Sequence, residues 1–158
     1  MKTFFTIVLC IAFQMTVTAQ HTNIWKDGKL TFITKKKVDS EGDENATDYD
    51  AGNDAVGINM EIIDYEDELE KYLSDIKYAS SQGCPDMELE LKTIGNSFLT
   101  KHRSFYSVCY DKEYKETIIN AVIQRDDIKK VYDIALYCYD ITLEEGIEVL
   151  KSITFLEE

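Results

Sequence analysis

Proline is almost missing from this chain: Pro85 is the only one in 158 residues, and there are only seven glycines. That excludes collagen-like and proline-rich low-complexity architectures. Cations are scarce as well. Seventeen Lys and Arg stand against thirty Asp and Glu, a formal net charge of −13. Nucleic acid and anionic membrane surfaces would both repel such a chain, so neither is expected as a partner. A basic protein partner, bound cations or solubility alone remain compatible with the charge. Histidine is limited to His21 and His102. No G-x-S-x-G, H-E-x-x-H or phosphate-loop motif occurs, and no cysteine can be placed beside a histidine. Thirty acids allow so many carboxylate pairs that no single pair is specified. The expectation is a protein that is not an enzyme and carries no cofactor.

Long hydrophobic runs are also missing, with one exception. The first nineteen residues read MKTFFTIVLCIAFQMTVTA. A positive start at Lys2, an apolar stretch from Phe4 to Met15, and small Val17 and Ala19 at −3 and −1 make a secretory signal peptide. The stretch is too short to span a bilayer. Cleavage is expected after Ala19, with residues 1–19 as the signal and no membrane insertion of the product. Bulky Leu9 argues against lipidation of Cys10, which leaves with the signal. Residues 20–158 are then one exported domain, periplasmic or extracellular, and large enough to bury a core. Cys84, Cys109 and Cys138 remain in it. Export permits a disulfide, the odd count leaves at least one thiol unpaired, and the spacings fit no zinc pattern.

The hydrophobic pattern is mixed. Leu30–Lys36 reads as a strand. The acidic run 39–54, DSEGDENATDYDAGND, reads as a mobile loop. In Val56–Ile62 the residues Val56, Ile58, Met60 and Ile62 alternate with Gly57, Asn59 and Glu61, a half-buried strand. Asp64 is expected to cap a helix running to Ala79, with Tyr65, Leu69, Tyr72, Leu73 and Ile76 on one stripe. A meander follows: Met87–Lys92, Phe98–Tyr110, Glu116–Gln124 and Val131–Tyr139. Several of these strands are apolar on both faces and call for a covering layer on each side. Thr142 and Glu145 have the spacing of a capping box for a short helix, with Leu143, Ile147 and Leu150 inward. Ile153–Leu156 closes the chain as a strand. Turns centred on Tyr114 and between Asp127 and Ile128 put Cys109, Ile119, Leu136 and Cys138 on one face. Two strands and two residues then separate Cys109 from Cys138 by on the order of 12 Å. A disulfide needs Cα atoms within about 7 Å. The two are therefore expected not to pair, and to act as small buried hydrophobes.

Three sets of residues could bind something. Asp48, Asp50, Asn53 and Asp54 place side-chain oxygens around Gly52, loosely like a calcium loop, though without EF-hand spacing. His102 and Arg103 lie in the one basic island, Thr100–Arg103, where an anion or carboxylate would find a partner. Tyr106, Tyr110, Tyr137 and Tyr139 on the meander offer an interface, since tyrosine joins an apolar body to a polar tip. Each set also has a plain reading: a solvated loop, surface ion pairs and ordinary strand residues.

The strand VYDI at Val131–Ile134, the short helix EEGIEVL and the closing LKSITF at Leu150–Phe155 resemble the PsbP-like domain, a fold shared with Ran-binding nuclear-import factors and bacterial exported proteins. The resemblance covers residues 56–158. It implies an α+β fold, an α/β/α sandwich with a central antiparallel sheet and helices on both faces. It also implies a non-enzymatic binding or accessory role, and it carries over no functional residue. The family's Pro-x-x-Trp entry is missing here, and Trp25 precedes the first expected strand. The expected function is an exported binding or accessory domain for a protein partner. The alternatives are an acidic neutraliser of a basic exported enzyme and a carrier of a small ligand or cation.

Overall fold

The structure is a computed structural model describing residues 20–40, 47–64, 92–95 and 101–156. These residues form ten strands and one helix: β1 (His21–Trp25), β2 (Leu30–Thr34), β3 (Asp39–Ser40), β4 (Asp48–Gly52), β5 (Val56–Asp64), β6 (Lys92–Thr93), β7 (Arg103–Asp111), β8 (Glu116–Arg125), β9 (Lys130–Cys138), α1 (Leu143–Lys151) and β10 (Thr154–Phe155). They build two antiparallel sheets, β1-β2-β10 and β3-β4-β5-β9-β8-β7-β6.

This corrects the expected α/β/α sandwich with helices on both faces. Among the described residues the fold is mostly β, and the layer over the inner face of the large sheet is the small sheet together with α1. The cause lies in residues 20–28, which precede the first expected strand. They contain β1, whose Trp25 is fully buried and pairs with Leu30. The helix expected over 64–79 lies outside the described residues, apart from Asp64, which ends β5. Cys84 and the strand expected to start at Met87 also lie outside them, except for Lys92.

Among the described residues a large hydrophobic cluster fills the space between the layers. Trp25, Leu30 and Phe32 from the small sheet meet Ile58, Met60, Ile119, Ile134 and Leu136 from the large one, and Leu150 and Ile153 close the end. The capping box forms as expected: Thr142 Oγ1 accepts from the Glu145 amide, and the Thr142 amide donates to the Glu145 carboxylate. Gly146 lets α1 lie close on the sheet, since a Cβ there would stand 2.7 Å from Ile119 and 2.8 Å from the Cys138 sulfur.

The expected β8–β9 register is observed, with Ile119 opposite Leu136. The β7–β8 register is shifted by one residue: Cys109 opposes Ile118, and Val108 opposes Ile119. Asp111 explains the shift. Its carboxylate accepts from the Glu113 and Tyr114 amides and closes a four-residue turn, completed by Lys115 at φ 57°. Because side chains alternate along a strand, one residue moves Cys109 to the outer face, away from Cys138. Cys109 is disulfide-bonded, to a partner outside the described residues, and Cys138 is a free thiol. The two do not pair, and the reading of Cys109 as a plain hydrophobe is corrected.

Candidate functional sites on two faces

Within the segment 39–54, Asp39–Ser40 and Asp48–Gly52 are the strands β3 and β4. Tyr49 and Ala51 of β4 point into the core while Asp48 and Asp50 point out, an alternation that acidic composition conceals. The four calcium candidates are separated by this geometry. Asn53 is committed to the turn after β4: its Oδ1 accepts from the Ala55 and Val56 amides, and its Nδ2 donates to the Lys37 carbonyl. Asp54 pairs with Lys36 at 2.9 Å, which lowers its carboxyl below the ordinary value. Among the described residues no group of three or more His, Cys, Asp or Glu side chains converges to hold a metal ion.

Asp48 and Asp50 instead join an acidic sheet face. Asp48 of β4 stands opposite Glu61 of β5, and Glu61 opposite Asp133 of β9. In the next row Asp50 opposes Asn59. Carboxylates directly opposite on a ladder have Cβ atoms about 5 Å apart and repel. On the same face Tyr137 follows Asp133 and Ala135. Its ring stacks on that of Tyr139, with centroids 6.4 Å apart and planes 19° from parallel. Gly57 makes room for this pair: a Cβ there would lie 2.6 Å from the Tyr139 hydroxyl. The tyrosines and Asp50 border a shallow recess of about 270 Å³. Burial, with Glu116 and Asp50 nearby, raises the Tyr137 phenol above its ordinary pKa. The other two tyrosine candidates are elsewhere: Tyr110 is exposed near the end of β7, and Tyr106 is partly buried against the core.

His102 lies at the opposite layer, in an open cleft of about 710 Å³ between the tip of the β8–β9 hairpin and the small sheet. Arg125 lies over the Phe155 ring, 4.7 Å from its centroid, and His102 meets the same ring edge-on at 5.7 Å. Arg125 Nε donates to Asp127 at 2.8 Å, holding the Asp127 carboxyl down at about 2. Burial first, and Arg125 second, lower the His102 pKa below the ordinary histidine value. Arg103 points away and pairs with Asp126 at 3.5 Å. The structure therefore joins His102 to Arg125, and not to Arg103. Sequence reasoning missed Arg125, Tyr132 and Phe155, because they reach the cleft from strands distant in sequence.

No protein-family model matches the chain, and no curated protein is similar to it. Solved structures are. The Ran-binding protein Mog1p of Saccharomyces cerevisiae superposes with a TM-score of 0.54 over 89% of this chain and 97% of that one, at 9% identity. A point mutant of Mog1 gives 0.52 over 88% and 97%, again at 9% identity. At such identity the likeness shows the fold alone. The resemblance drawn from EEGIEVL and LKSITF holds at that level, as a Mog1/PsbP-like fold, and does not extend to a named PsbP domain.

Proposed function

We propose that the protein is an exported, non-enzymatic binding domain that docks a basic protein partner on the exposed acidic part of the outer face of its large sheet, around β4 and β5. The observation that carries this reading is the row Asp48–Glu61–Asp133 across three adjacent strands. Three carboxylates in one row concentrate negative charge on that part of the face, the kind of patch that meets a positive patch on a partner. The stacked Tyr137 and Tyr139 beside Asp50 give that face aromatic surface, on which a lysine or arginine side chain packs well. The net charge of −13 would steer a cationic partner toward the protein over long distances. The likeness to a protein described as Ran-binding supports a binding role in general and identifies no partner.

Where that partner is an enzyme, docking over its cationic surface would inhibit it, the neutraliser reading. The test is capture of envelope or medium proteins on the immobilised processed chain, at low and high salt. A basic protein retained at low salt and released at high salt supports the proposal, and salt-insensitive capture counts against an electrostatic face. Mass spectrometry of the secreted product checks export, with an N-terminus at Gln20 expected.

A further inference from the structure

The cleft around His102 differs in charge from the rest of the molecule. Lys29, Lys101, Arg125 and Lys130 line it, against Asp27 and Asp127, in a chain with almost twice as many acids as bases. Its interior is apolar and aromatic: Tyr132 packs on Phe155 with centroids 4.7 Å apart, and Ile128 and Leu156 are exposed at its mouth. We propose that this cleft is a binding site for a small organic carboxylate with an aromatic or aliphatic body.

Four observations support the assignment. The volume, about 710 Å³, lies in the range of small-molecule sites. The lining has the usual composition of such sites, an apolar interior with a few placed polar groups. Arg125 is fixed in advance by its stacking on Phe155 and its ion pair with Asp127. A guanidinium presents its N–H donors in a planar fork that matches a carboxylate. Finally, the ion pairs Lys130–Asp64 and Arg125–Asp127 lie at the cleft, and Lys29 and Lys101 line it beside them against Asp27; with a Debye length of about 8 Å at physiological ionic strength, these nearby charges count for more than acids farther away. This site is separate from the acidic face, and either can fail without the other.

The probe is 2-naphthoate, with neutral 2-naphthamide as its control, titrated into the ¹⁵N-labelled processed protein and followed by NMR. The expected result is saturable shifts at His102, Arg125 and Leu156, with the amide about tenfold weaker. The His102 imidazole pKa should rise on naphthoate binding, because the new carboxylate joins Asp126 and Asp127 against the opposing Arg125 and Lys101. Arg125→Gln should remove saturation. Lys101→Gln, at an exposed position that leaves the fold intact, should weaken binding severalfold. Equal affinity for acid and amide, shifts mapping outside the cleft, no saturation at millimolar probe, or indifference to Lys101→Gln would overturn the proposal. So would tighter binding of an oligoglutamate peptide than of naphthoate.

Discussion

Cys138 shows how burial sets reactivity. Its thiol sits under Gly146 of α1, and burial pushes its pKa up to about 11. Since the thiolate is the reactive species, iodoacetamide at pH 8 should leave Cys138 unmodified in the folded protein and label it only in denaturant. Rapid native labelling would place the residue differently. Gly28 is as tightly held. A Cβ there would stand 2.2 Å from the Trp25 ring, which is fully buried and cannot move aside. Gly28→Ala should cost about 3 kcal/mol in urea unfolding, the upper end for overpacking. Asp127 gives a pH signature. Its folded pKa, about 2, is below the unfolded value of 3.8. Its contribution is therefore present above about pH 4 and is lost as pH falls toward 2. Asp127→Asn should flatten acid unfolding in that window, by an amount reduced by solvent screening.

At the scale of elements, the capping box of α1 gives the simplest prediction: Thr142→Ala should lower stability by about 1 kcal/mol, read by chemical denaturation. Glu61→Thr in β5 tests the acidic row. Removing a carboxylate opposite both Asp48 and Asp133 should raise stability by a few tenths of a kcal/mol, and a loss would mean the row is not under repulsion. β5, β8, β9 and α1 were legible in the sequence because the alternation in Val56–Ile62, the apolar runs of β8 and β9 between polar turns and the T-x-x-E spacing are local signals. β4 was not, although Tyr49 and Ala51 alternate with Asp48 and Asp50, because acidic composition suggested solvent and hid the period. β1 was missed for want of length: Ile24 and Trp25 are the only large apolar residues in its five, and pairing with β2 makes it a strand.

At the scale of the whole molecule, the sequence resemblance led to a fold likeness that the Mog1 structures share and to the wrong layers. An inward face of alternating apolar residues shows that something covers it, not whether a sheet or a helix does so. The register error at Cys109 has the same origin, since one Asx turn at Asp111 decides which face every β7 side chain takes. The candidate sites were legible only as single residues. His102 could be named, whereas its neighbours Arg125 and Phe155 come together only in the fold, and so do Asp48, Glu61 and Asp133. Docking of a basic partner on the acidic part of the outer sheet face is tested by reversing the charge of that part against a control variant of equal net charge. The double variant Asp48→Lys/Glu61→Lys is compared with Glu113→Lys/Glu144→Lys, which has the same total charge change on exposed positions elsewhere. Both are immobilised beside the parent protein and exposed to the cell's own envelope proteins at low salt. A basic protein captured by the parent should be retained by the second variant and lost by the first. Equal retention by both variants, or equal loss, would contradict it.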